Sequence, residues 1–270
     1  MYEFDEDTAV RVQADGSYRG TVTDRWSVGD RPNGGYLMAI GLRAMAQTLA
    51  QPDPLTVTTH FLRSPAPGPV AVEVEVVRKG RTVETAEARL HSGDREHVRM
   101  LATFGDLRAA TGPTQVLLRA PALPGPERCV PLPSEAKLPD GTTATIMQRF
   151  DVRMTPESVG WVMGRPSARA EAQGWVRFRD DRPADLISLV QVLDAFAPAV
   201  LAAGHRGSVP TIELTAHFRA HPAPGWLRLV TRTNVLVDGY LEEEAEVWDA
   251  EDRLVAQARQ FARLAGAGEG

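Results

Sequence analysis

One phrase occurs twice in this chain. "HFLRSPAPG" runs from His60 to Gly68 and "HFRAHPAPG" from His217 to Gly225, with six of nine positions identical. At the same offset Thr58 falls on Thr215, Ala88 on Ala245, Val98 on Val255, Phe104 on Phe261 and Leu107 on Leu264, with no gap needed between His60 and Leu107. An internal duplication of this length constrains the fold more than composition does. The chain must build one unit twice, and the two units must accommodate each other.

The character of each segment repeats as well. In the first copy "GGYLMAIGLRAMAQTLA" (Gly34–Ala50) reads as a helix whose apolar residues Leu37, Ile40, Leu42, Ala44, Met45 and Leu49 cover most faces, so it is expected to be buried nearly all round. "LTVTTHFLR" reads as a strand, and "PVAVEVEVVRKG" alternates Val70, Val72, Val74 and Val76 with polar or small residues, the period of a strand with one wet face. "TVETAEARLH" and "HVRMLATFGDL" complete an antiparallel meander. The second copy gives the same order. "SLVQVLDAFAPAVLAA" is read as its helix, with Pro198 in the first turn, followed by strands in "TIELTAHFRAH", "WLRLVTRTNVLV", "YLEEEAEVWDA" and "LVAQARQFARL". A further strand precedes each helix, in "SYRGTVTDR" and "GWVRFRD". Residues 108–140 hold seven prolines and are expected to cross the surface as a linker.

A greasy helix wrapped by an antiparallel sheet resembles the hotdog fold, and the duplicated chain resembles a double hotdog of class α+β. The expected division is 1–107 for an N-terminal hotdog, 108–140 for the Pro-rich linker and 141–270 for a C-terminal hotdog. Each Pro-Ala-Pro-Gly has a local reason, since proline cannot donate to a ladder and so ends a strand.

Composition narrows the function. The net charge is −5, which excludes a general nucleic-acid surface. The single cysteine, Cys129, forms no intrachain disulfide and reads as incidental. The start "MYEFDEDTAV" lacks the apolar region of a signal peptide, and no apolar run reaches the ~20 residues that span a bilayer. A cytoplasmic protein without membrane partners is expected. No His/Cys/carboxylate cluster has metal-ligand spacing, so neither metal nor cofactor is expected, and nothing resembles Gly-x-Ser-x-Gly, so no covalent acyl-enzyme is expected.

Three stretches carry a resemblance to a family: "PNGGYLMAIGLRA" (Pro32–Ala44), "LDAFAPAVL" followed by "PTIELTAHFRAHPAPG", and "LVAQARQFARL". In this order and spacing they resemble the type II acyl-CoA thioesterases in their thioesterase-like branch. The resemblance implies hydrolysis of an acyl-CoA by a water ordered by three residues: an Asp at the second helix, a Thr on the following strand and a Gln on the last strand. On this chain these are Asp194, Thr211 and Gln260. Thr215 lies on the same strand as Thr211 and, at an even spacing, on the same face, so it competes for the role. Gln257 falls on the face opposite Gln260.

The repeat offers an argument that needs no family. Residues kept in both copies serve the shared fold, and residues present in one copy are candidates for a single site. At the ungapped offset Asp194 falls on Leu37, Gln260 on Thr103 and Thr211 on Pro54, while Gly34-Gly35 falls on Gln191-Val192. All break the symmetry. His60 and His217 keep it, which assigns them to the fold rather than to chemistry, despite a pKa near neutrality.

Asp194, among the apolar residues of "VLDAF", suits a general base whose basicity burial would raise; a first-turn carboxylate favoured by the helix dipole is the plainer reading. Gln260 can position a water but cannot take its proton. Gly34-Gly35 at a helix start could aim N–H groups at the thioester oxygen or simply allow close packing, and Asn33, a candidate cap there, is grouped with them as a substrate-binding residue. The expected substrate is an acyl-CoA, and a dimer of double hotdogs is the expected assembly. Two other readings stand beside hydrolysis: a non-catalytic acyl-thioester binding protein, and a hotdog hydratase or dehydratase. The latter resembles an Asp/His pair at a helix start, and no histidine follows Asp194 before His205.

Overall fold

The computed structural model describes residues 1–135, 137 and 141–266. Pro139 and the expected end of the linker at residue 140 lie outside the described residues, as do residues 267–270 of the expected C-terminal unit. The structure is dominated by one 14-stranded sheet. Its first half comprises β1 (Arg11–Val12), β2 (Tyr18–Val22), β3 (Asp53–Phe61), β4 (Gly68–Lys79), β5 (Glu84–Ser92) and β6 (Arg95–Gly105). Its second half comprises β7 (Val130–Pro131), β8 (Phe150–Met154), β9 (Glu171–Phe178), β10 (Thr211–Phe218), β11 (Leu227–Arg232), β12 (Leu236–Val237), β13 (Tyr240–Trp248) and β14 (Leu254–Arg263). Reading outward from the centre, the strands run β3-β6-β5-β4-β2 on one side and β10-β14-β13-β11-β9 on the other. All these pairs are antiparallel.

The two copies therefore meet through matching strands. Thr58 sits directly opposite its repeat partner Thr215, and their hydroxyls are 2.9 Å apart. An approximate two-fold axis passes between them. A bulge falls at matching places on both central strands, between Pro54 and Thr56 and between Thr211 and Glu213.

The helix α1 (Gly34–Thr48) fills the concave side of the first half. Tyr36, Met38, Ile40, Leu42 and Met45 are fully buried, each worth about 1.5–3 kcal/mol of apolar burial, and this is the all-round burial its sequence predicts. This is the double hotdog, class α+β, that the repeat implies. Among the described residues no helix is long and apolar enough to cross a membrane.

Three expectations are corrected. The ungapped offset fails on the last strand. The turn Asp249–Arg253 is one residue longer than Ser92–Arg95, held by Asp249 accepting from the Glu251 and Arg253 amides, so β14 runs one residue ahead of β6. Leu214, the partner of Val57 across the repeat, faces Gln260, whereas Val57 faces Ala102. Gln260 therefore corresponds to Ala102, not Thr103. The shared phenylalanine is a coincidence, since Phe104 is buried and Phe261 is exposed and stacked on Tyr240.

The second helix is also not the continuous rod expected. It is α2 (Leu189–Leu193), five residues long, followed after a break by a single 3₁₀ turn at Ala199–Leu201. Pro198 ends it. A proline has no N–H for the carbonyl four residues back and clashes with it, and that carbonyl belongs to Asp194. Finally, the Pro-rich segment is exposed from 108 to 119, but it does not stay on the surface. Val130–Pro131 pairs with β8, and the Trp175 indole N–H donates to the Pro124 carbonyl at 2.8 Å.

Candidate active site

The site forms where the start of α1 meets the end of α2. Asn33 caps α1, its Oδ1 accepting from the Tyr36 amide at 3.3 Å, as the sequence suggests. The same oxygen accepts from Gln191 Nε2 at 2.9 Å. Asn33 Nδ2 donates to the Asp194 carbonyl at 2.9 Å. The carbonyl that Pro198 leaves without a helical partner is thus taken by the cap of the opposing helix.

Gly34 and Gly35 allow this contact. A Cβ on Gly35 would lie 2.4 Å from the Val190 carbonyl oxygen and 2.8 Å from the Gln191 Cα. A Cβ on Gly34 would lie 2.8 Å from the Phe61 ring and 3.1 Å from Asp194 Oδ2. The Gly35 amide donates to Asp194 Oδ2 at 2.9 Å. The sequence suggests these amides for a thioester oxygen; the structure directs the Gly35 amide at the Asp194 carboxylate, with the positive end of α1 behind it.

Asp194 ends α2 at φ −109°, ψ 22° and faces a cavity. Burial raises its carboxyl to about 6, against the opposing pull of the Gly35 amide, Asn33 and the Gly34 amide. Desolvation wins because these donors are few and the surroundings are largely apolar.

The cavity holds about 870 Å³. Asn33, Gly34, Asp194, Thr211 and Gln260 line its polar end, and Leu37, Phe61, Met147, Met154, Trp161 and Phe196 are among its apolar walls. Leu132 and Pro133, from the segment expected to be a surface linker, also line it. Exposed Arg31, Arg63 and Lys137 line it on the solvent side. Among the described residues no histidine lines it; His60 and His217 lie exposed on the outer face of the sheet.

The structure brings Thr211 and Gln260 together: the Thr211 hydroxyl donates to Gln260 Oε1 at 2.7 Å. Thr215 is elsewhere. The bulge between Thr211 and Glu213 inserts one residue, which reverses the facing of everything before it. Thr211 therefore turns inward, while Thr215 stays on the outer face bonded to Thr58 and Glu213. Even spacing puts the two threonines on one face only if the strand is regular. Gln257 lies on the outer face with Arg219 on its amide oxygen at 3.3 Å, opposite Gln260 as the period requires.

One residue of the cluster escaped the sequence reading. Glu243 is only 5% exposed. Its Oε1 accepts from Gln260 Nε2 at 2.8 Å and its Oε2 accepts from the Ala199 amide. The signal was available: in "LEEEAEV" the buried phase is Leu241, Glu243, Ala245 and Val247, so the middle glutamate of three points into the core.

An antiparallel double hotdog with a carboxylate at a broken helix, facing an apolar cavity beside an ordered Thr–Gln pair, is a scaffold for thioester chemistry. Residues 22–105 match the model of the acyl-CoA thioesterase N-terminal domain and residues 126–264 that of the C-terminal domain. The chain belongs to the acyl-CoA thioesterase family and is a thioester hydrolase. In sequence it is 29% identical over 267 residues to an uncharacterised protein of Mycobacterium tuberculosis, covering 92% of this chain and 90% of that one. In structure it is similar to a protein from Thermobifida fusca assigned as a thioesterase II, at TM-score 0.89 and 28% identity over 98% of both chains. It shares its fold with a hotdog protein of unknown function from Alicyclobacillus acidocaldarius, at TM-score 0.84 and 23% identity over 99% of both chains.

Proposed function

We propose that the protein, acting in the cytoplasm, hydrolyses a fatty or related acyl-CoA by direct attack of a water held among Asp194, Thr211 and Gln260. The observation that supports this most is the half-buried Asp194 carboxylate at the cavity's polar end, its proton affinity raised toward neutrality. A base with a pKa near 6 is largely ionised at pH 7 yet basic enough to take a proton from water. In the reaction the water oxygen bonds to the thioester carbon while its proton passes to Asp194. The tetrahedral intermediate then collapses, the C–S bond breaks, and Asp194 returns the proton to the leaving thiolate. The N-terminus of α1 offers a positive field to the oxyanion. The apolar walls take the acyl chain, and Arg31, Arg63 and Lys137 suit the CoA phosphates. The division at 107/108 and 140/141 belongs to this reading, with both units contributing walls to one site. The absence of a lining histidine, among the described residues, weighs against hydratase chemistry.

Thiol release from a panel of acyl-CoAs, C2 to C18 plus benzoyl, tests the reading. Wild type should turn over at least one, with activity falling on the acid side through about pH 6, and Asp194→Asn should lower kcat by about 10³-fold. An undiminished kcat in the folded variant would refute the assignment of Asp194. Binding of acyl-CoA without turnover by the wild type would make this a binding protein.

A further inference from the structure

We propose that Glu243 is a positioning residue of this site: its two carboxylate oxygens hold Gln260 Nε2 and the Ala199 amide, and so decide which end of the Gln260 amide meets Thr211. The inference rests on the reading that Thr211 and Gln260 order the attacking water.

Three observations carry it. The first is connectivity. Gln260 Oε1 accepts from Thr211 at 2.7 Å, Gln260 Nε2 donates to Glu243 at 2.8 Å, and the Ala199 amide donates to the other Glu243 oxygen. One buried carboxylate thus ties β14, which carries Gln260, to the 3₁₀ turn that follows the break beginning at Asp194. The second is asymmetry. In the sheet register Gln260 faces Glu243 and Ala102 faces Ala86, so the half without Gln260 also lacks the carboxylate. The third is the expense of the arrangement. A carboxylate is rarely this buried without a cation, and the groups meeting it from β14 and the 3₁₀ turn, Gln260 and Ala199, are neutral. The charges acting on it, Asp194 and Glu242, are both negative.

The consequence is directional. An ionised Glu243 only accepts, so Gln260 must present Nε2 to it and Oε1 to Thr211. Thr211 then spends its proton on Gln260 and keeps its lone pairs for the water. A water giving one proton to Asp194 and the other to Thr211 has a lone pair free for the thioester carbon. If Glu243 carries a proton, or is replaced by glutamine, Gln260 is free to turn over. Thr211 then becomes a donor to the water, which leaves the water's second proton without its acceptor and draws electron density from the attacking oxygen. Burial first, and then the charge of Asp194, push the Glu243 carboxyl up to about 7, so this switch falls in an accessible range.

The experiment is the pH dependence of kcat and KM from pH 5 to 9 for wild type, Glu243→Gln, Gln260→Ala and Asp194→Asn, each checked for folding by circular dichroism. The wild-type kcat should fall in two acid-side steps, near 7 and near 6, which belong to the coupled pair. Glu243→Gln should keep KM within about twofold, lose about tenfold in kcat, and lose the step near 7. Should that variant fail to fold, Gln260→Ala should likewise lack the upper step, and its persistence there would overturn the inference. A Glu243→Gln enzyme with wild-type kcat and both steps, alongside an impaired Gln260→Ala, would overturn the role of Glu243 while leaving the proposed function standing. Unimpaired Asp194→Asn and Gln260→Ala would sink the proposed site, and this inference with it.

Discussion

The two halves of the sheet have the same strand order, the same bulge and the same central residue, yet they have diverged at the positions that face the cavity cluster. Thr211 corresponds to Pro54, Gln260 to Ala102 and Glu243 to Ala86. Where the second half keeps a hydroxyl, an amide and a carboxylate, the first keeps three small or apolar groups, of which Ala86 and Ala102 are fully buried. The helices differ in the same sense. α1 runs 15 residues unbroken and supplies core; α2 stops after five and supplies the carboxylate. A duplicated scaffold can give up some regularity in one half because the other half retains the packing. The unbroken helix of the first half also caps the broken one, through Asn33 and Gly35.

That contrast can be tested from its strongest consequence to its weakest. Gln260→Ala should lower kcat by about 10²-fold through loss of water positioning. Thr103→Ala, at the position an ungapped alignment equates with Gln260, should leave kcat within about twofold, because the Thr103 hydroxyl bonds Thr85 on the other face. Equal losses in both would dissolve the asymmetry. Thr211→Val should cost about tenfold in kcat, while Thr215→Val should spare kcat and lose about 0.5–1 kcal/mol of stability with its bond to Thr58; the reverse pattern would return the role to Thr215. Gly35→Ala should destabilise the fold by about 2 kcal/mol in urea denaturation, since its Cβ meets backbone that cannot rotate away. A neutral result would mean the two helices can separate at no cost.

The smallest effect concerns pH. The Asp194 carboxyl is raised in the folded state to about 6, so the stabilising balance is fully present below its unfolded value and is lost as pH rises through 6. Above that, the folded protein carries a charge that its surroundings disfavour. Asp194→Asn should therefore be more stable than wild type at pH 8, by about 1 kcal/mol once the contact with the open cavity is discounted, and no more stable at pH 4. A variant with a lower Tm at pH 8 would show that the carboxylate supports the fold rather than straining it.

Much of this was legible in the chain. The repeated His-Phe and Pro-Ala-Pro-Gly words, the all-round apolar helix of residues 34–48 and the alternation of Val70 to Val76 dictate two antiparallel units around buried helices, because burial period and strand-breaking by proline are local properties. The single-copy status of Asp194, Gln260 and Thr211 was legible for the same reason. Tertiary structure decided the rest. Whether Thr211 or Thr215 faces inward depends on one inserted residue, which exists only in the pairing of two strands. Whether Gln260 matches Thr103 or Ala102 depends on the length of a distant turn. The end of α2 at Asp194 depends on Pro198 together with the cap that Asn33 offers from the other half. The meeting of Glu243 with Gln260 requires two strands in register. Local pattern fixes which side chains exist and which face each prefers, whereas a site is a set of distances between segments far apart in sequence, and those distances are set only when the two halves pack.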